Sequence, residues 1–293
     1  MLILRTTGDR VRSVPLPEIG GKGLFTKELE DALQEGRAHC AVHSLKDLPT
    51  DLPAGLILAC VPQREDPRDV WISRNGISLT DLPAKARVGT SSLRRAAQMR
   101  RLRPDIEIVP LRGNLGTRLR KLQAGDLAAI VVAAAGMRRM GFGDQITEYF
   151  APETLCPAVG QGALGIEARA ADTETLTLLA QLEDSWARVT ATAERALLKH
   201  LGGGCQVPIA ASATRQGDRL ALAALVIRPD GTEAVQTTEV GPPGSGNFEG
   251  EAATRMAEDL GRAAATRLLQ QGAGRILESV AEQPSPFPAP QAP

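Results

Sequence analysis

Ala86-Arg87-Val88-Gly89-Thr90-Ser91-Ser92-Leu93-Arg94-Arg95 decides how this chain folds. A short apolar run stops at three hydroxyl residues, and a helical pattern follows from about Ser92 to Leu102, so the hydroxyls occupy a strand-to-helix turn. The sequence repeats this arrangement downstream. A strand at Ile106 to Pro110 turns through Leu111-Arg112-Gly113-Asn114 into a helix over Leu115 to Ala124. A strand at Ala128 to Ala134 then turns through Ala135-Gly136-Met137-Arg138-Arg139. Alternating β and α predicts parallel strands covered by helices, with these turns along one edge of the sheet. Upstream, Leu2 to Thr6, Ala38 to His43, Leu56 to Val61 and Asp69 to Ser73 read as strands, and Phe25, Leu29, Ala32 and Leu33 recur at helical spacing.

Two segments punctuate the series: Pro62-Gln63-Arg64-Glu65-Asp66-Pro67 and Cys156-Pro157-Ala158-Val159-Gly160-Gln161-Gly162. If the chain passes from one α/β lobe to another at the first and returns at the second, they are twin hinges of a two-lobed clamp. A third region begins near Asp184. A helical pattern from about Trp186 to His200 leads into Gly202-Gly203-Gly204-Cys205-Gln206-Val207-Pro208, followed by strand-like runs at Val207 to Thr214, Leu220 to Ile227 and Glu233 to Val240 and a helix over Glu249 to Gln270. A small antiparallel sheet with helices on one face fits that order. The Pro-rich end after Glu282 is expected to be disordered.

With 293 residues, 43% of them apolar, the chain is long enough for two or three domains, and no apolar run approaches the roughly 18 residues that cross a bilayer. Met1 to Thr6 is too short for a secretory signal, which predicts a cytoplasmic location. The four cysteines lie far apart without paired histidines, so neither a zinc site nor a disulfide framework is expected. Cys40 and Cys60 fall in strand-like runs and read as core. Cys205 differs: three preceding glycines free its backbone and leave its sulfur unscreened, as suits a thiol that must be reached.

Net charge is zero, yet between Lys85 and Arg139 there are 11 arginines and two lysines against Asp105, Glu107 and Asp126. Such a stretch is either a solvated basic face or a seat for an anion. The arginines favour the anion, because they cluster in turns where free N–H groups and helix dipoles converge. Guanidinium groups suit carboxylates and phosphates. Ala41-Val42-His43-Ser44-Leu45-Lys46-Asp47 brings Lys46 and Asp47 to the edge of the first lobe. Asp47 either caps a turn and pairs with Lys46, or steadies a cation and moves a proton in an otherwise cationic cleft. His43 is expected to face packing. Gly20-Gly21-Lys22-Gly23 lacks the spacing of a phosphate-binding loop, although Lys22 can still meet an anion.

These residues closely resemble the porphobilinogen deaminase (hydroxymethylbilane synthase) family. The matching segments, in family order, are Gly20 to Phe25, His43 to Asp47, Arg64 to Asp69, Val88 to Arg95, Leu111 to Asn114, Pro157 to Gly162 and Gly203 to Pro208. The resemblance implies an α/β fold with two periplasmic-binding-protein-like lobes joined by hinge crossovers, plus a C-terminal α+β domain. The first lobe would take residues 1–62 and 163–182, the Arg-rich second lobe 68–156, the C-terminal domain 184–282 and the tail 283–293. It implies a transferase of tetrapyrrole and heme synthesis that joins four porphobilinogen molecules into hydroxymethylbilane with release of ammonia. It further implies a dipyrromethane cofactor on the sulfur of Cys205, bound also by Ser44, Lys46, Thr90, Ser92, Arg94, Arg95, Arg118 and Gln161. Lys22, Arg112, Arg118 and Arg139 would bind the substrate and its growing polypyrrole chain, and Asp47 would be the catalytic carboxylate. The family reading expects a monomer, with neither nucleic acid nor membrane as partner and no metal.

One departure stands out. The family opens with a strand and helix carrying Arg-x-Ser-x-Leu-Ala, and nothing before Thr7-Gly8-Asp9 matches them. Either the true start lies upstream of Met1 or the first lobe is shortened; a shortened lobe is expected to be less active and less stable. Two other classes fit less well. A two-lobed anion-capture protein shares hinges and arginines but has no use for a presented thiol. A nucleic-acid binder lacks stacking platforms, since aromatic residues are only 3% of the chain.

Overall fold

The computed structural model describes residues 26–203, 207–243 and 248–282. The expected strand at Leu2 to Thr6 and the site residues Lys22 and Cys205 lie outside them. The first lobe contains α1 (Lys27–Gln34), β1 (Cys40–Ser44) and β2 (Leu56–Cys60). The chain then runs without regular structure into β3 (Asp69–Ser73), β4 (Arg87–Gly89), α2 (Leu93–Leu102), β5 (Glu107–Val109), α3 (Leu115–Gln123), β6 (Ala129–Ala133), α4 (Ala134–Arg139) and β7 (Glu148–Tyr149). A second irregular stretch returns it to β8 (Leu164–Arg169) and α5 (Thr173–Leu179).

The second sheet has the order β5-β4-β6-β3-β7. Its β5, β4 and β6 are parallel, whereas β3 runs antiparallel to both β6 and β7. The described sheet of the first lobe departs further from the parallel expectation, because β1 and β2 both pair antiparallel with a central β8. The reason is topological. β3 and β8 are the strands entered from the crossovers, so each joins its sheet from the opposite direction. β8 also escapes a hydrophobic-run reading: it holds Glu167 at its centre, fully buried and 3.1 Å from the His43 ring. His43 is accordingly a packed, paired residue. Cys60 is in the core, but Cys40, read as core from its strand, is exposed because it opens β1 on the outward phase of the strand's alternation.

The third unit consists of α6 (Ser185–His200), the antiparallel β9 (Ile209–Gln216), β10 (Arg219–Ile227) and β11 (Ala234–Val240), then α7 (Gly250–Gln270) and α8 (Ala273–Glu282). Asp184 caps α6 by accepting from the Ala187 N–H. Leu220, Leu222, Ala224 and Val226 alternate along β10 into one core with Val189, Ala193 and Leu197 of α6 and Ala257, Ala264 and Leu268 of α7, so these helices cover one face.

The two crossovers lie against each other and are fastened to α6. Gly162 has φ +87°, and a Cβ there would run into the carbonyl of Glu65, so only glycine permits this approach. Glu194 of α6 is fully buried; it accepts from Arg64 Nη1 and Nη2 at 2.9 and 3.0 Å, from the Gly160 N–H at 2.7 Å and from the Ala213 N–H at 2.9 Å. Removing one member of such a buried pair typically costs about 3–5 kcal/mol. Glu194→Gln is therefore expected to lower the urea midpoint of unfolding by a corresponding amount; an unchanged midpoint would show that the crossovers are held some other way.

Candidate active site

Lys46 and Asp47 lie on a single 3₁₀ turn, Leu45–Asp47, that follows β1 directly. Leu45 and Leu48, 1% and 3% exposed, plug the core on either side, which turns the two charged residues away from it. Asp47 and Ser44 are exposed, and Lys46 is half-buried. Burial, followed by the nearby Arg95 charge, lowers the Lys46 pKa to about 8; Asp47 and Asp69 oppose the shift.

From the second sheet, the parallel strands β5, β4 and β6 direct their following turns to a common edge. Thr90 Oγ1 accepts from the Ser92 N–H, Ser92 Oγ caps α2 by accepting from the Arg95 N–H, and Ser91 Oγ accepts from the Leu111 N–H. These hydroxyls thus organise the turn itself. Arg112 lies half-buried just beyond β5. Arg118 reaches back from α3 to the Gly113 carbonyl at 2.8 Å. Its pKa is lowered to about 10, first by burial and then by Arg95, with Asp47 acting in the other direction. Lys46 and Asp47 from one lobe and Arg95 and Arg118 from the other therefore lie within one another's fields. The third segment differs from the turn expected there, since α4 begins at Ala134 and carries Arg138 and Arg139 at its exposed C-terminal end. Arg139 donates to the Gly162 carbonyl at 2.8 Å and Arg138 to Glu65 at 3.0 Å.

Asp69 is the residue that strand reading passed over. It is fully buried at the start of β3 and accepts from Arg94 Nη1 at 2.6 Å, from Arg95 Nε and Nη2 at 2.9 and 2.7 Å, and from Gln161 Nε2 at 2.9 Å. Burial pushes its pKa up, but Arg94 and Arg95 outweigh that and hold the carboxyl far below the usual range. Gln161 also accepts from Arg95 and donates to the Pro67 carbonyl. The signal was available: an aspartate opening the otherwise apolar Asp69-Val70-Trp71-Ile72 needs a buried partner.

The cleft thus gathers Lys46, Arg94, Arg95 and Arg118 against Asp47 and Asp69, an excess of cations in partly desolvated surroundings. The lowered Lys46 pKa reflects burial first and the neighbouring Arg95 charge second, and carboxylates placed among these groups would offset both. Arg94 Nε is buried and has no hydrogen-bond partner. Among the described residues no cluster of ligating side chains could hold a metal ion.

Residues 1–177 match the family model described as porphobilinogen deaminase, dipyromethane cofactor binding domain, and residues 188–270 match the porphobilinogen deaminase C-terminal domain. The chain belongs to the porphobilinogen deaminase family. A porphobilinogen deaminase of Syntrophobacter fumaroxidans is 49% identical over 278 residues, covering 95% of this chain and 86% of the relative. That of Desulforudis audaxviator is 50% identical over 278 residues, covering 94% and 86%. Family membership makes the chain a transferase of tetrapyrrole biosynthesis that uses a dipyrromethane cofactor. The residues present fit that group, because each of its rings carries an acetate and a propionate, and the cationic excess matches such a polycarboxylate in sign. Among the described residues no helix is long and apolar enough to cross a membrane.

Asp69 has a consequence for acid stability. Its folded-state pKa lies below the unfolded value of about 3.9, so its stabilisation is present above about pH 4 and is lost as the pH falls further. Urea midpoints measured between pH 7 and 3 are expected to drop steeply below pH 4 in the wild type. Asp69→Asn should be less stable at pH 7 by about 3–5 kcal/mol and should show a flatter acid limb; matching pH profiles would contradict this assignment.

Proposed function

We propose that the chain condenses four porphobilinogen molecules head to tail into hydroxymethylbilane, releasing ammonia at each addition, on a dipyrromethane primer joined to Cys205 by a thioether. The observation that carries the reading is Asp47, an exposed carboxylate within the field of Lys46, Arg95 and Arg118. A cleft built only to capture anions gains nothing from a negative group, whereas one that must pass through a cation does.

Lys46, Arg94, Arg95 and Arg118 are the residues to hold the primer's carboxylates, with Ser44, Thr90, Ser92 and Gln161 supplying neutral polar groups around them. When bound, the dipyrromethane supplies the acceptor carbon for the first incoming ring. Lys22, Arg112, Arg118 and Arg139 take the acetate and propionate of the substrate. Asp47 accepts the pyrrole N–H of the bound substrate. As the protonated amine leaves, the C–N electron pair departs with ammonia, and the positive charge spreads over the ring beside the Asp47 carboxylate. The primer held there would supply the carbon that bonds to this cation, and Asp47 would accept the proton given up when the acceptor ring regains its aromaticity. Fixed charges arranged before the reaction stabilise the cation without reorganising in the step itself.

Two measurements test this. The intact mass under denaturing conditions is expected to exceed the chain mass by a dipyrromethane increment that is absent from Cys205→Ser. Asp47→Asn is expected to keep the increment while kcat falls about 10²–10⁴-fold, the range for a positioned acid–base group. A chain that acquires no adduct from porphobilinogen, or an Asp47→Asn variant at wild-type rate, would overturn the proposal.

The lowered Lys46 pKa also sets a pH dependence. As the pH rises through about 8, the unliganded lysine loses its proton and with it a carboxylate partner. The rate at which the cofactor-free chain gains the dipyrromethane mass increment is expected to fall above pH 8, and Lys46→Arg should remove that fall, since the guanidinium stays charged; identical pH profiles in the two proteins would rule the lysine out as its source.

A further inference from the structure

We propose that Arg195 is a positioning residue for the reaction, acting through the turn that carries Asp47. This rests on the reading of Asp47 as the reacting carboxylate. Ala187, Ala191 and Arg195 follow one another at four-residue spacing on α6 and form the face beneath the turn. Ala187 and Ala191 are buried in one cluster with Leu45 and Leu48. Arg195 extends that face with hydrogen bonds, donating from Nη1 to the Leu48 carbonyl at 2.9 Å and from Nη2 to the Pro49 carbonyl at 2.7 Å.

Asp47 is exposed, so its position is set by its chain neighbours. Leu48 and Pro49 are the next two residues, and a single planar guanidinium fixes the orientation of both their carbonyls. Leu45 and Leu48 pack the turn itself onto α6, but the chain just beyond it borders open space. A cavity of about 420 Å³ lies between α6 and the segment from Thr50 to Val61, with Leu58, Ala191 and Arg195 among its lining residues. Without the two hydrogen bonds, the backbone after Asp47 has room to shift toward it. A displacement near 1 Å at a reacting group can cost roughly 100-fold in rate. The other end of the lever is firm, because the adjacent Glu194 anchors the same helix turn to both crossovers and to β9.

Arg195→Met keeps the length and apolar stem of the side chain but removes both donors. Its kcat is expected to fall about 10–100-fold, with KM for porphobilinogen within about two-fold and the cofactor mass increment retained. Arg195→Lys, which offers one point donor where a fork stood, should fall between the two and serves if the methionine variant does not fold. The deciding comparison is made in the Asp47→Asn background, following single ring additions by intact mass. A residue acting through Asp47 loses its effect there, so Arg195→Met should then cost less than about two-fold.

An equal fold loss in both backgrounds would reduce Arg195 to a general structural role, and a wild-type rate in Arg195→Met or Arg195→Lys would overturn the proposal directly. Failure of the underlying reading is distinguishable, because Asp47→Asn alone would then turn over at the wild-type rate.

Discussion

Four hydrogen bonds to the buried Glu194 carboxylate hold together three parts of the chain that are far apart in sequence. Arg64 comes from the outgoing crossover, Gly160 from the returning one and Ala213 from the C-terminal sheet. The crossovers have few strand or helix partners for their backbone, Ala211 of β9 to the Pro157 carbonyl among them, so many of their polar groups depend on side chains such as Glu194 and Gln161. An ionised carboxylate out of water is tolerable only if paired and hydrogen-bonded on all sides, and that requirement fixes Arg64, Gly160 and Ala213 relative to α6. The cleft inherits its geometry from this arrangement, because one of its walls follows β1 and the other follows β4 and β5.

Two aspartates divide the electrostatic work of that cleft. Asp69 has no exposure and is spent on Arg94 and Arg95, a resident counter-ion that lets two guanidinium groups be buried in the protein before any anionic ligand is present. Asp47 is exposed, and its charge reaches Lys46, Arg95 and Arg118 through space. The same side chain thus serves folding in one place and remains available for chemistry in the other. What separates them is burial.

Much of this was legible in the sequence where local chemistry and pattern agree. The turns after β4 and β5 announce themselves through hydroxyl and asparagine caps before apolar helical runs, and Lys46-Asp47 through its place at the end of an alternating strand. Legibility failed where a long-range partner overrides the local signal. Glu167 makes β8 look too polar for a central strand until His43 is seen beside it, and Asp69 reads as a strand start until two arginines from α2 are brought to it. Strand direction escapes for a similar reason, since an irregular crossover carries no local mark of the side from which the next strand enters. Arg195 gave no signal at all: on a helix, an arginine that binds carbonyls from residues 48 and 49 looks like any solvated cation.

The positions of these contacts also show which part of the molecule holds each crossover residue. Gly160 is bound by Glu194, while its neighbour Gln161 is bound by Asp69 of the second sheet. On the other crossover, Arg64 belongs to Glu194, and Pro67 to the Gln161 side chain. Neighbouring residues of each crossover are thus tied to different parts of the molecule, and Arg64 Nε, donating to the Gln161 carbonyl at 2.9 Å, links the two crossovers to each other. Further contacts join the second sheet's elements to their surroundings, among them Arg139 to the Gly162 carbonyl at 2.8 Å. Arg138 and Glu65 form a partly exposed pair, worth about 0–1 kcal/mol, and Arg100 reaches the Pro229 carbonyl from a half-buried position. Separating the Lys46–Asp47 turn from α6 means breaking the Arg195 fork and exposing Leu45 and Leu48. The Lys46–Asp47 turn is thus anchored on α6, whereas Arg94 and Arg95 are anchored on Asp69 of β3, so the two walls of the cleft are held by separate sets of contacts.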